Sequence, residues 1–135
     1  MTAEQGPHLL VIDDEAGIRE MLTILFQKDG YRVTSARGCV EGLAALEATS
    51  PDLVLTDLKM PDGTGLDVLA RARESNRDTP VIMITAYSST KTAVEALKAG
   101  AYDYIAKPFD VEELKHVVAR ALEKKRLVEE NVALK

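Results

Sequence analysis

The sequence predicts an α/β fold, a doubly wound sheet of five parallel strands with helices on both faces, on three observations. Five short apolar runs alternate with five stretches of helical periodicity. Short loops join them, as right-handed β-α-β crossovers require. The first run, Leu9-Leu10-Val11-Ile12, is apolar throughout rather than alternating, the pattern of a central strand buried on both faces. At 135 residues, 46% hydrophobic and 29% charged, the chain is one domain's worth of globular sequence.

The elements follow in order. The first strand stops at Asp13-Asp14-Glu15, and Ile18, Met21, Leu22, Leu25 and Phe26 then recur at helical spacing from Ala16 to Lys28, with Gly30 beyond the last turn. Tyr31 to Ser35 reads as the second strand. Val40 to Ala48 reads as the second helix, with Leu43, Ala44 and Leu46 inward. Leu53 to Thr56 is the third strand, ending at Asp57, and the Pro- and Gly-bearing stretch Lys59 to Gly65 is a loop before a helix over Leu66 to Glu74. Val81 to Ile84 is the fourth strand, ending at Thr85. Ala93, Val94, Leu97 and Lys98 mark a fourth helix closed by Gly100, and Tyr102 to Ile105 is the fifth strand, ending near Lys107. The last helix opens at Asp110. A flavodoxin-like strand order 2-1-3-4-5 fits this alternation, and ligands of such sheets sit at the carboxyl ends of the strands.

Composition excludes several classes of function. A net charge of −5 and a pI near 5.1 give no positive field for nucleic-acid phosphates or anionic lipid. No apolar run approaches a membrane span, and Met1 to Pro7 lacks the regions of a signal peptide, so a cytoplasmic location is expected. Cys39 is the only cysteine and reads as a small buried hydrophobe. His8 and His116 read as structural or solvated.

The polar residues gather where the topology puts a site. Asp13 and Asp14 follow the first strand, Asp57 the third, Thr85 ends the fourth and Lys107 follows the fifth. Three converging carboxylates repel unless an oxygen-preferring dication neutralises them, and Mg2+ suits a set with no His or Cys. A lysine ammonium and a threonine hydroxyl suit a phosphoryl group whose oxygens gain charge in transfer. A carboxylate can itself be the nucleophile. Asp57, alone at the tip of a central strand, is the better placed, with the Asp13-Asp14 pair serving the metal. Singly, each aspartate or Thr85 could be a helix N-cap and Lys107 a solvated charge. Together they make a site.

These residues resemble the receiver domain of two-component response regulators, over roughly Leu9 to Leu122. Asp13-Asp14, Asp57, Met60-Pro61, Gly63, Gly65, Thr85-Ala86, Gly100-Ala101 and Lys107-Pro108 fill that family's motif positions. The resemblance implies a CheY-like fold and a phosphoacceptor domain, not an enzyme with turnover. Asp57 would accept a phosphoryl group from a sensor histidine kinase. Asp14, Asp57 and the backbone carbonyl of Lys59 would hold Mg2+, with Asp13 acting through water. Lys107, Thr85 and the Ala86 backbone would hold the phosphate oxygens, and Lys107-Pro108 would be a cis peptide. Tyr104 would turn inward as Thr85 moves, a charge event that biases a two-state element. Lys59 and Tyr87 would flank the path of the hydrolytic water.

The Leu-Thr-Asp-Leu-Lys-Met-Pro-Asp-Gly segment and the Glu-Asn of the last helix resemble sigma-54-dependent activators of the nitrogen-regulatory type. That resemblance implies an ATPase and a DNA-binding domain beyond this chain, and a homodimer through the face from the fourth to the fifth helix and through a helical linker. The chain then divides into a receiver, residues 1–122, and the start of a linker, residues 123–135, where Leu127, Asn131 and Leu134 continue a narrow coiled-coil stripe. A stand-alone receiver is the nearest alternative. A phosphatase of the haloacid-dehalogenase type is another. It would place its nucleophile on the first strand with a second aspartate two residues on, where this chain has Glu15 after Asp13 and Ala16 after Asp14. An interaction module of the same fold with a vestigial pocket is a third.

Overall fold

The computed structural model describes residues 6–76, 78–86 and 89–133, with side chains to residue 128. The elements run β1 (His8–Ile12), α1 (Ala16–Lys28), β2 (Arg32–Ala36), α2 (Cys39–Thr49), β3 (Leu53–Thr56), β4 (Lys59–Met60), β5 (Gly63–Thr64), α3 (Gly65–Ser75), β6 (Val81–Thr85), α4 (Thr90–Lys98), β7 (Asp103–Ala106) and α5 (Val111–Ala133). Five strands form one parallel sheet in the order β2-β1-β3-β6-β7. This is the expected order 2-1-3-4-5, because β4 and β5 lie outside the sheet as a small antiparallel hairpin. The sequence predicts only a loop there, since two residues per arm are too few to show periodicity.

β1, β3 and β6 are buried along their whole length. Each strand splits its side chains between the two faces, so two apolar layers result. One joins Leu10, Ile12, Val54 and Met83 to α2, α3 and Ala96. The other joins Leu9, Val11, Leu55, Ile82 and Ile84 to Leu22 and Phe26 of α1 and to Leu114, Val117, Val118 and Ala121 of α5. Among the described residues no helix is long and apolar enough to cross a membrane.

One inward-facing assignment is corrected, and two periodic stripes are only partly buried. On α2, Ala44 is exposed, and Cys39, Gly42 and Leu46 make the buried face with Leu43 and Ala45 beside them. Gly42 is there because a Cβ would stand 2.6 Å from Ile12 Cδ1, so backbone packs directly on β1. On α1, Met21 is 36% exposed, since Leu22 and Phe26 take the core. On α4, Val94 and Leu97 are exposed and Ala96 is the fully buried residue.

Candidate functional site

The carboxyl ends of β1, β3, β6 and β7 meet at one edge of the sheet. Register fixes this: Ile12 pairs with Thr56, and Thr56 with Met83, so Asp13 and Asp57 leave neighbouring strands at one level. The Asp57 amide donates to the Ile12 carbonyl at 2.9 Å, and the Asp13 amide to the Ala36 carbonyl at 3.1 Å. Oxygens of Asp13, Asp14 and Asp57 all lie within 4.8 Å of one another. Asp13 and Asp57 are buried at 2% and 5% exposure, whereas Asp14 is exposed at the rim.

Lys107 reaches this cluster from beyond β7. Its Nζ lies 2.8 Å from Asp13 Oδ2, 3.2 Å from Asp57 Oδ2 and 3.4 Å from Glu15 Oε1. Burial acts against its charge, but the Asp13 hydrogen bond and the charges of Asp13 and Asp57 outweigh it and hold the ammonium well above the usual lysine range. Asp13 shows the complementary balance. Burial raises its pKa, and the Lys107 contact and the Glu15 amide, 2.9 Å from Oδ1, only partly offset this. The peptide Lys107-Pro108 is cis, as the family resemblance implies.

Asp57 is oriented by backbone. The Leu58 amide donates to Oδ1 at 2.7 Å, leaving Oδ2 toward Lys107. The Leu58 carbonyl in turn accepts from the Gly65 amide at 2.7 Å, tying the start of α3 to the Asp57 loop. Position 65 admits only glycine here, because a Cβ would stand 2.5 Å from the Asp57 carbonyl and 2.8 Å from Met83 Sδ.

The helix-cap alternatives do not describe these residues. Glu15 is the N-cap of α1 and makes no side-chain cap bond, Thr64 caps α3 and Ser89 caps α4. Lys107 has a side chain only 10% exposed and is no solvated charge. Thr85 is fully buried at the end of β6, where its carbonyl accepts from the Lys107 amide at 2.9 Å, and Ala86 follows it at the surface. Lys59 opens the hairpin as an exposed residue two positions after Asp57. Tyr104 sits apart on β7, half-buried, with its phenol oxygen 2.9 Å from Thr92 Oγ1. Tyr87 and Leu134 fall outside the described residues, as does the Asn131 side chain.

Sequence reasoning missed three supporting residues. Glu15 adds a third carboxylate to the reach of Lys107. Arg19 donates to the Asp13 carbonyl at 2.7 Å. Asp62 accepts from the amides of Cys39 and Val40 at 2.8 and 3.0 Å, capping α2 from the hairpin loop. No local window shows a cap supplied from 22 residues away.

The donor set suits a hard dication: oxygen only, two carboxylates fixed and buried, one at an open rim where a hydrated ion keeps its waters. Among the described residues the remaining titratable candidates lie elsewhere. His8 is buried against Thr34, and Cys39 is a buried free thiol whose pKa is pushed up by burial.

Comparison with known proteins agrees with this geometry. Residues 9–119 match the family described as the response regulator receiver domain. The response regulator protein PilR of Pseudomonas aeruginosa is 45% identical over 113 residues, which is 84% of this chain and 25% of PilR. The DNA-binding transcriptional regulator NtrC of Rhizobium meliloti is 39% identical over 117 residues, 87% of this chain and 24% of NtrC. The chain thus spans about a quarter of the length of these curated relatives. Among solved structures, the beryllofluoride-activated NtrC4 receiver domain dimer superposes with a TM-score of 0.82 at 33% identity, covering 87% of this chain and 98% of that one. Motifs, sheet order and matched span coincide, and the chain belongs to the response regulator receiver domain family.

Proposed function

We propose that this chain is a phosphorylation-dependent switch that takes a phosphoryl group from the phosphohistidine of a sensor histidine kinase onto Asp57. The observation that carries the reading is the Lys107 ammonium, seated 2.8 and 3.2 Å from Asp13 and Asp57, with Asp14 completing a carboxylate cluster within 4.8 Å. One Asp57 oxygen attacks phosphorus, an O–P bond forms and the N–P bond breaks. The imidazole nitrogen leaves with the bonding pair and takes a proton from solvent.

Mg2+, held by Asp14, Asp57 and the Lys59 carbonyl with Asp13 through water, would supply the charge that offsets the carboxylates and the transferring oxygens. Lys107 passes from Asp57 to a phosphate oxygen, while the Thr85 hydroxyl and the Ala86 amide take the others. The Leu58 amide keeps Asp57 in its attacking rotamer throughout. Drawing Thr85 toward the phosphate vacates space into which Tyr104 turns, and the face from α4 to α5 changes with it.

The output reading rests on kinship and on α5. That helix runs without a break from Val111 to Ala133, past the matched family span, which supports residues 123–135 as the start of a linker. The kinship with NtrC supports a transcriptional activator of the sigma-54-dependent type, with ATPase and DNA-binding domains. The activated NtrC4 receiver is a dimer, and its likeness to this chain supports dimerisation here; the face from α4 to α5 is the one we assign to it.

The test is intact mass after incubation with acetyl phosphate and Mg2+, for the wild-type chain and Asp57→Asn. One added phosphoryl, lost in the variant and without Mg2+, is the expected result. Unmodified wild-type mass from folded protein would refute the reading, and repeated hydrolysis of a phosphate ester would favour the phosphatase instead.

A further inference from the structure

The phosphate chemistry leaves the Tyr104 phenol unexplained. Its oxygen lies 2.9 Å from Thr92 Oγ1, in the first turn of α4. That hydroxyl already closes the capping box of α4. The Ser89 amide donates to Thr92 Oγ1 at 3.2 Å, the Thr92 amide donates to Ser89 Oγ at 3.2 Å, and Thr92 Oγ1 lies 3.1 Å from both the Ser89 carbonyl and Ser89 Oγ.

A threonine hydroxyl has one proton and two lone pairs. Its proton can return to Ser89, and the Ser89 amide fills one lone pair. Thr92 Oγ1 thus closes the cap and also lies within hydrogen-bond distance of the phenol, with either hydroxyl of that pair able to donate.

The remaining attachment of α4 is slight. Ala96 is its fully buried residue, while Val94 and Leu97 are 43% and 46% exposed. A helix with so little buried apolar surface depends on its polar end contacts for position, and belongs to the low-stability end of a structure. β7, which carries Tyr104, is bonded in turn to β6 up to the pair Thr85 and Ala106, and the Lys107 amide continues the ladder to the Thr85 carbonyl.

We propose that Thr92 is a positioning residue that couples the rotamer of Tyr104 to the capping of α4. While the phenol stays on Thr92, the first turn is held. When the ring leaves, Thr92 loses one of the bonds that hold its rotamer, and the turn loosens. The use of this coupling in signalling rests on phosphorylation at Asp57, but the coupling is a property of the unmodified chain.

The experiment is amide hydrogen exchange by NMR at Ser89, Thr92 and Ala93, on the unphosphorylated wild type, Tyr104→Phe, Thr92→Ser, Thr92→Val and the double variant Tyr104→Phe/Thr92→Val. Tyr104→Phe leaves the Thr92 side chain intact, so a purely local cap predicts no change. The coupling predicts exchange faster by about three- to tenfold. Thr92→Ser keeps the hydroxyl and should stay near wild type. In the Thr92→Val background, Tyr104→Phe should add nothing. Unchanged exchange in Tyr104→Phe, or effects of the two variants that simply add, would overturn the proposal.

The same amides are then followed in wild-type chain treated with acetyl phosphate, with its mass measured in parallel. Exchange resembling that of Tyr104→Phe in the phosphorylated chain supports the signalling use, and wild-type exchange there overturns that use. A chain whose mass does not change refutes phosphorylation alone, because the exchange results on unmodified protein decide the coupling independently.

Discussion

Lys107 faces three carboxylates, and Asp14 lies within the same cluster, so the local charge is negative even with the ammonium in place. Such a pocket favours a dication, and it holds together because backbone amides of Leu58 and Glu15 fix Asp57 and Asp13. Gly65 is the position where this arrangement is most brittle. A methyl group there meets the backbone carbonyl of Asp57, which cannot rotate away as a side chain could. Gly65→Ala is expected to cost about 1–3 kcal/mol in urea unfolding and to slow phosphoryl uptake, read as the rate of mass gain with acetyl phosphate. The site aspartates, Thr85 and Lys107 were legible because each ends or follows an apolar run, and the topology of a parallel sheet brings such ends together. Glu15, Arg19 and the Thr92 contact were not, since each depends on where a long or rotatable side chain comes to rest.

Individual elements are legible where their apolar pattern is dense and less so where it is thin. The bounds of α1 are correct because its stripe is long, whereas α2 and α4 are short and rich in alanine, so rotation of the helix is decided by the surface it meets. The close approach of Gly42 to Ile12 turns α2 so that Ala45, not Ala44, faces inward. The start of α2 is set from outside the element, by the Asp62 carboxylate. Two amide bonds draw the pKa of that carboxyl below the usual range, so it stays a charged cap. Asp62→Ala is expected to lower stability and to loosen the hairpin and α2 together, seen as faster amide exchange at both Cys39 and Met60. Loss confined to Cys39 would show that the hairpin is held by other contacts.

At the scale of the molecule, the N-terminal edge of the sheet is as organised as the edge that carries the carboxylates. His8 is buried there, its Nε2 2.7 Å from Thr34 Oγ1. Burial, aided by the Arg32 guanidinium and opposed by Asp52, lowers its pKa below the usual 6.5. The unfolded chain therefore takes up a proton first as pH falls. Stability contributed by neutral His8 is complete above pH 6.5, and is lost as pH drops through that value toward the folded pKa. Urea midpoints measured from about pH 7.5 to about pH 5 should fall more steeply for wild type than for His8→Gln; equal slopes would assign the acid sensitivity to other groups.

Asp52 joins three elements at this edge. Its Oδ2 accepts from the His8 amide at 2.7 Å, and its Oδ1 lies 3.7 Å from Lys125 Nζ. The neighbouring Lys124 ammonium stands 5.8 Å over the Tyr102 ring, at the foot of the strand that carries Tyr104. α5 is thus clamped to the sheet beyond the last residue of its apolar face, Leu122. Mechanically it is a cantilever: about 12 Å of helix extends from Lys125 to Ala133, and a tilt of about 10° at the clamp would sweep the tip through about 2 Å. The length of that lever is set by the position of two lysines, one on the Tyr102 ring just before β7 and one on Asp52.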